Sequence, residues 1–200
     1  MRRALLLLVP ACYTPPDLPV TPFETPILVD GTFEVCASER AVRVACTVDG
    51  DTVDLASCGS AGERVRLLGI DAPETAKPGE GAQCGADEAA AFLARVVDHQ
   101  IVRVGFDATC TDVYDRTLAY LWLDRAYAER ALDAQVLEDV VRLHGADPED
   151  PVLLSTYLLA AGWARRFDED WVEPLRFERE LQAAERLARV RGAGVWGTCD

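Results

Sequence analysis

The chain has 200 residues, enough for one domain with a short extension, and half of them are hydrophobic, which excludes a disordered chain. Its 34 acidic and 20 basic residues give a formal net charge of -14. That charge excludes a broad basic surface, so any nucleic-acid partner must meet locally concentrated positive charge. No run of about 20 apolar residues follows the N-terminal stretch, and the sequence therefore predicts no membrane-spanning helix.

The N-terminal stretch MRRALLLLVPAC resembles a bacterial lipoprotein signal. Arg2 and Arg3 precede a short apolar run, and a small residue precedes Cys12. Such a signal is cleaved before the cysteine, so residues 1–12 are predicted to direct export and Cys12 to carry the lipid. The expected location is the periplasm or the cell surface, with membrane attachment through the lipid alone, or else secretion. The alternative interpretation is a poorly ordered apolar start.

Residues 13–40 are rich in proline and predict a semi-extended tether. The chain has seven cysteines, and six remain if Cys12 is lipidated. An even set suits three disulfides in an oxidising compartment, and without a C-x-x-C spacing zinc is not expected. The sequence does not choose among the possible pairings, but Cys46 and Cys58 flank a predicted hairpin and are the first candidates.

Residues 41–200 are predicted to form the folded domain. Short alternating or apolar segments predict three strands, an amphipathic helix from Ala89 to Val97, and two further strands. Helices are predicted at 152–161 and 177–191, each followed by a capping glycine, Gly162 or Gly192. The strand segments are AVRVACTV, TVDLAS, RVRLLGI, IVRVGF and RTLAYLWL. This order predicts an α+β fold, a five-stranded OB-fold barrel with three or four packing helices, which often binds oligonucleotides.

The segment from Arg125 to Asp150 does not fit this plan and is interpreted as an acidic insertion. It holds seven acidic and three basic residues, and residues 134–143 predict a short extra helix. A solvated surface helix and loop is the ordinary explanation for such charge. A docking surface, or a lid over a groove, is the alternative.

Two segments carry carboxylates that suit a site. VDGDTV at 48–53 primarily predicts a hairpin turn, but the carboxylate of Asp51 can also bind a hard cation. In RLLGIDAPET, Asp71 can cap a turn and Glu74 can simply face solvent. With Pro73 fixing the backbone between them, they can instead point at one bound ion and one water. Oxygen-only ligands favour calcium or magnesium over zinc.

Arginines complete this set. Arg64 and Arg66 share one side of their strand while Leu67 takes the other, and Arg116 begins the strand TLAYLWL. A guanidinium keeps its charge and binds phosphate oxygens in pairs. It therefore suits a phosphodiester whose transition state gathers negative charge.

Five segments, in this order, resemble the staphylococcal nuclease (thermonuclease) family over residues 41–197 except the insertion. They are VDGDTV at 48–53, RLLGIDAPET at 66–75, TDVYDRTLAY at 111–120, LLAAGWAR at 158–165 and AAERLARVRGAGVWG at 183–197. The resemblance implies a calcium-dependent endonuclease, a hydrolase that cleaves phosphodiester bonds of DNA and RNA with low sequence specificity. We expect it to act as a monomer.

The resemblance also implies a role for each matching residue. It implies that Asp51 and Asp71 hold calcium with the backbone carbonyl of Ala72 nearby. Glu74 matches the family's general base, or the residue that positions water. Arg66 and Arg116 match the pair that holds the phosphate and stabilises the transition state, and Tyr114 matches a tyrosine near the bound nucleotide.

Two departures from the family pattern keep another function open. Asp115 stands where the family usually has glycine and adds a carboxylate that can pair with Arg116 or misdirect it, and the family's groove lysines are missing. The alternative is a catalytically weak or inactive module that binds nucleic acid or a protein partner. A pure binder needs no complete set of metal, water and phosphate residues, so the set favours the enzyme.

Overall fold

The computed structural model describes residues 38–147, 149–167 and 175–199. The predicted signal, Cys12 and most of the proline-rich tether lie outside these residues. Within the described ranges, no helix has the length and apolar character needed to cross a membrane.

A closed barrel forms the centre of the domain. The described strands are β1 Arg40–Thr47, β2 Thr52–Leu55, β3 Glu63–Leu67, β4 Ile70–Asp71, β5 Ile101–Gly105, β6 Thr117–Leu123, β7 Val152–Leu153 and β8 Arg165–Arg166. β1 pairs with β2 and β5, β2 with β3, and β5 with β6, all antiparallel. β3 pairs in parallel with β6 and closes the ring. The closed five-stranded barrel confirms the predicted α+β fold of the OB type.

β1 takes part in both halves of the barrel. Its first residues, from Arg40 to Arg43, pair with β5, and from Val44 the strand pairs with β2, with an irregularity between Val44 and Cys46. An irregularity of this kind bends a strand and lets it turn a corner. Alternate residues of the strands point inward and are buried: Val44, Val53, Leu55, Val65, Leu67, Val102, Val104, Ala119 and Leu121.

Helices cover the barrel. They are α1 Ala86–Val97, α2 Arg125–Ala131, α3 Ala134–His144, α4 Leu154–Ala160, α5 Glu178–Arg191 and α6 Val195–Thr198. α1 confirms the predicted amphipathic helix, because its apolar face is buried. Gly162 and Gly192 both take positive φ after their helices, as predicted for helix C-termini. The predicted start of α4 is wrong, since Val152 and Leu153 pair with β6 as β7.

The acidic insertion is more than solvated surface. α2 and α3 each bury one face, and Ala128, Leu137 and Val140 belong to the hydrophobic core. The helices begin at side-chain caps, since Asp124 accepts from the backbone of Tyr127 and Asp133 from two backbone N–H groups. The segment therefore packs on the domain through its apolar residues and presents its other face to solvent.

Disulfides connect distant parts of the described chain. Cys46 and Cys58 are bonded across the first hairpin, with Cα atoms 5.7 Å apart, which confirms the first candidate pairing. Cys84, just before α1, is bonded to Cys199 near the C-terminus. Cys110 is also disulfide-bonded.

Candidate active site

The turn between β1 and β2 buries one of the predicted ligands. Asp51 lies in this hairpin turn and is only 3% exposed. A Cβ on Gly50 would lie 2.6 Å from the Cβ of Ala72, so glycine allows the turn to approach the β4 segment closely. Oδ2 of Asp51 accepts a hydrogen bond from the backbone N–H of Ala72 at 2.7 Å. The two loops that the sequence singled out are therefore in direct contact.

Arg66, on β3, joins the two predicted metal carboxylates. Its Nη1 forms an ion pair with Oδ1 of Asp51, and its Nη2 lies 2.8 Å from Oδ1 of Asp71. The Arg66 side chain is 13% exposed, whereas Asp71 is 55% exposed and faces solvent. Both terminal nitrogens of Arg66 are thus engaged by carboxylates. Arg66 holds these two acids together and neutralises one of their two charges.

Glu74 lies three residues beyond Asp71 in a closed loop. Its backbone N–H donates to Oε1 of Gln83 at 3.0 Å, and the N–H of Gln83 donates back to the carbonyl of Glu74 at 2.9 Å. Oε2 of Glu74 lies 2.9 Å from Nζ of Lys77. Both side chains are about half exposed, and the hydrogen bond that Lys77 donates to Glu74 raises the pKa of Lys77. Gln83 is a residue of this site that the sequence did not indicate.

Arg116 is oriented by Asp112, four residues earlier. Oδ1 of Asp112 accepts from the backbone N–H groups of Tyr114 and Arg116, and Oδ2 accepts from Nε of Arg116 at 2.7 Å. Burial opposes ionisation of Asp112, but these hydrogen bonds outweigh it and lower its pKa. In the part of the chain that the structure describes, the terminal nitrogens of Arg116 have no hydrogen-bond partner. They are available to an anion.

Among the described residues Arg116 pairs with Asp112, and no ion pair joins it to Asp115, so the pairing considered for Asp115 is wrong. Asp115 has a φ of 61°, in the left-handed region that favours glycine, which explains why the family pattern has glycine there. Tyr114 is 77% exposed, and its ring centroid lies 5.5 Å from Cζ of Arg116. The tyrosine thus lies on the surface beside the guanidinium, where a bound nucleotide would have access to it.

Two other arginines lie near the site in different surroundings. Arg64 lies 2.8 Å from Asp54, and the hydrogen bond between them lowers the pKa of Asp54. Arg64 is therefore occupied elsewhere, although it shares a strand face with Arg66. Arg165 on β8 is exposed and lies directly opposite Asp71 on β4. This pairing places Arg165 beside the site.

The structure brings the predicted residues together to different degrees. Asp51, Arg66, Asp71 and Ala72 are linked by direct contacts. Arg116 directly precedes Thr117, which lies opposite Val65 in the parallel pair of β3 and β6, so the two candidate arginines belong to neighbouring strands. Glu74 follows on the loop after β4.

The donor set at this site suits a hard cation. Asp51, Asp71 and the backbone carbonyl of Ala72 supply only oxygen, and the contacts above hold these groups close to one another. Two carboxylates facing one guanidinium leave a net negative charge that a cation would balance. Among the described residues, no group of three or more His, Cys, Asp or Glu side chains could hold a metal. The two carboxylates would therefore need further oxygen ligands, and the carbonyl of Ala72 is the one that the family resemblance implies.

Fold and site together define an OB-fold protein whose acidic and arginine side chains suit a phosphodiester. A family model described as staphylococcal nuclease homologue matches residues 64–198. The chain belongs to this family.

Individual relatives agree with this assignment. The chain is 38% identical to the thermonuclease of Staphylococcus hyicus over 89 residues, which cover 44% of this chain and 52% of the relative. It is 38% identical to the thermonuclease of Staphylococcus intermedius over 97 residues, which cover 47% and 57%. It is 30% identical to Protein ParB of Escherichia coli over 161 residues, which cover 80% and 73%. The chain thus spans about half the length of the two thermonucleases.

Proposed function

We propose that the chain is a calcium-dependent endonuclease that hydrolyses phosphodiester bonds of DNA and RNA with low sequence specificity. The observation that carries the proposal is the bridge from Arg66 to Asp51 and Asp71, with Ala72 bonded to the same buried carboxylate. Membership in the staphylococcal nuclease family and the thermonucleases among its relatives support the same activity.

Asp51, Asp71 and the carbonyl of Ala72 would hold the calcium ion. When bound, the ion supplies a Lewis acid and a template for the phosphate. Asp51 is buried and fixed by three groups: Ala72 bonds Oδ2, and Arg66 and Thr52 bond Oδ1. One ligand is therefore rigid, while Asp71 is exposed and is held through Arg66.

The chain's own residues carry the remaining chemistry. Glu74 accepts a proton from the attacking water, whose oxygen bonds to phosphorus as the ester P–O bond breaks, and the leaving oxygen takes a proton from solvent water. Arg116 binds non-bridging phosphate oxygens through its terminal nitrogens while Asp112 fixes its Nε. Arg66 compensates charge that develops during the reaction. These groups contact the phosphate and not the bases, so we expect little sequence preference.

The acidic surface sets the binding strength. Positive charge at the site comes from a few arginines in a chain with a formal net charge of -14. We therefore expect weak substrate binding that decreases steeply as salt is added.

A second function is favoured by one contact. The pair between Lys77 and Glu74, at 2.9 Å, engages the carboxylate that must accept the proton. A catalytically weak or inactive module that binds nucleic acid or a protein partner would tolerate such a contact. The variant Lys77→Ala distinguishes the enzyme from the binding module, because an enzyme keeps or gains nuclease activity when this ion pair is removed.

Export and attachment through lipid at Cys12 are part of the proposal. The disulfides of the described residues suit the oxidising conditions outside the cytoplasm. Cys12→Ala should release the protein from the membrane fraction, and continued retention would refute the lipid anchor. We also propose a monomer, which sedimentation equilibrium of the soluble domain tests.

The experiment for the main proposal is a cleavage assay with the oxidised protein. Single-stranded DNA and RNA are incubated with calcium or with chelator, beside the variants Glu74→Ser and Arg116→Ala. Arg142→Ala serves as the matched control, because Arg142 is exposed and pairs with Glu138 on α3, away from these residues. Cleavage that requires calcium and is strongly reduced in the two site variants but not in Arg142→Ala supports the enzyme. Intact substrate with folded protein favours the binding module.

A further inference from the structure

The loop that carries Glu74 is closed by Gln83. Two hydrogen bonds join these residues: Glu74 N–H to the Gln83 side chain at 3.0 Å and Gln83 N–H to the Glu74 carbonyl at 2.9 Å. Further along the loop, Lys77 and Glu80 exchange backbone hydrogen bonds of 3.2 and 2.9 Å. Gly79 and Gly81 lie at its exposed tip. The position of the Glu74 backbone therefore depends on where Gln83 is held.

Gln83 is followed directly by Cys84, whose disulfide leads to Cys199 across a sequence separation of 115 residues. This bond attaches the end of the Glu74 loop to Cys199, the C-terminal capping residue of α6. The next residue, Gly85, has a positive φ, and a Cβ there would lie 3.1 Å from Val195. The loop end thus packs closely on α6.

α6 is itself fixed to the rest of the domain. Val195 is buried, and its N–H donates to the carbonyl of Gly162 at 2.9 Å. Gly162 and Gly194 approach so closely that a Cβ on either would clash with the backbone of the other segment. A continuous series of contacts therefore runs from the core through α6, the disulfide and Gln83 to Glu74.

We propose that Gln83 is a positioning residue for Glu74, and that the Cys84–Cys199 disulfide anchors Gln83 to α6. This inference rests on the proposed function of Glu74 as the group that accepts the proton from water. Exposed hydrogen bonds alone hold an exposed loop weakly, whereas a covalent bond at its end restricts its movement. Misplacement of a catalytic group by about 1 Å can cost on the order of 100-fold in rate.

The first test compares two pairs of cysteines. Cys84→Ser/Cys199→Ser removes the anchor, and Cys46→Ser/Cys58→Ser is the matched control because that bond crosses the first hairpin. Both are assayed as folded protein, verified by circular dichroism. We expect the first to lower kcat about 10- to 100-fold with KM and the calcium requirement unchanged. An equal fall in kcat for both pairs would overturn the proposal.

A double-mutant cycle shows whether the effect passes through Glu74. In a Glu74→Ser background, loss of the Cys84–Cys199 bond should cause no further fall in kcat. A full further fall would show that the disulfide acts through the fold in general and would overturn the proposal.

Variants of Gln83 test the positioning residue without touching the disulfide. Gln83→Met removes the acceptor for the Glu74 N–H, and Gln83→Glu keeps an oxygen in its place. We expect kcat to fall in the first variant and to recover in the second. Equal loss in both, or loss in neither, contradicts the role.

Hydrogen exchange of residues 74–83, measured by mass spectrometry, separates failure of this inference from failure of the proposed function. Faster exchange in the Cys84→Ser/Cys199→Ser and Gln83→Met variants supports the positioning even if the protein hydrolyses nothing. Unchanged exchange overturns the positioning even if hydrolysis depends on calcium and Glu74.

Discussion

Asp112 offers a sharp test of how the structure orients Arg116. Asp112→Ala removes three hydrogen bonds, two to backbone N–H groups and one to Nε of Arg116. Its side chain is 16% exposed, so solvent compensates only part of the loss. Hydrogen bonds to charged groups contribute about 1.5–3 kcal/mol each and are not additive, so we expect a loss of about 2–4 kcal/mol in the free energy of unfolding.

Asp112→Asn separates the two functions of the carboxylate. It keeps one oxygen for the backbone N–H groups but places a donor against Nε of Arg116. We therefore expect about half of the alanine variant's stability loss, or about 1–2 kcal/mol. We expect kcat to fall equally in the two variants, because both lose the hydrogen bond that orients Nε of Arg116. The pKa of Asp112 is lowered in the fold, so its stabilisation is present above its ordinary value of 3.8 and is lost as pH falls through the folded pKa.

Urea denaturation near pH 7 and near pH 3, with kcat measured at pH 7, checks these values. Asp115→Asn is the control, since asparagine tolerates the left-handed backbone of that position. The reasoning is refuted if Asp112→Ala matches this control in both stability and kcat.

Three further predictions concern stability. Asp115→Gly should raise the free energy of unfolding by about 0.5 kcal/mol, because relief of the left-handed backbone exceeds glycine's entropy cost; an unchanged or lower midpoint in urea would contradict this. Burial lowers the pKa of His144 below its ordinary value of 6.5, so stability should decrease as pH falls below 6.5, and His144→Gln should flatten that dependence. Loss of Cys84–Cys199, with a separation of 115 residues, should cost about 5 kcal/mol against about 3 kcal/mol for Cys46–Cys58, with a separation of 12; thermal unfolding that ranks them in reverse would refute the chain-entropy explanation.

The alternation of apolar residues was sufficient to predict the barrel. Strand side chains alternate faces, so Val53 and Leu55, or Val65 and Leu67, mark an inward face before any pairing is known. The capping glycines likewise marked the ends of the helices, because positive φ is a local requirement.

The insertion and β7 were harder to predict because their signals are mixed. In α3, charged residues alternate with Leu137 and Val140, and the charge conceals the apolar face that packs on the core. Val152 and Leu153 continue the apolar pattern of α4, so only the pairing partner, Trp122 and Leu123 of β6, distinguishes strand from helix.

The candidate site also contains residues that the sequence indicates and residues that it does not. Asp51, Asp71 and Arg66 come from short motifs, and contacts within and between these motifs join them. The role of Asp112 depends on the backbone conformation of the loop up to Asp115, which residue types alone do not specify. The role of Gln83 depends on its hydrogen bond with Glu74, nine residues earlier in the chain. The disulfide that follows it joins positions that no local sequence pattern relates.

The central claim is tested most directly by the initial rate of single-stranded DNA hydrolysis as calcium concentration is varied, for the oxidised protein beside Asp71→Asn. We expect a saturable rate that chelator abolishes, with Asp71→Asn requiring more calcium to reach half of its maximum. A rate that does not depend on calcium, or no hydrolysis by a folded protein that binds calcium, would contradict the proposed function.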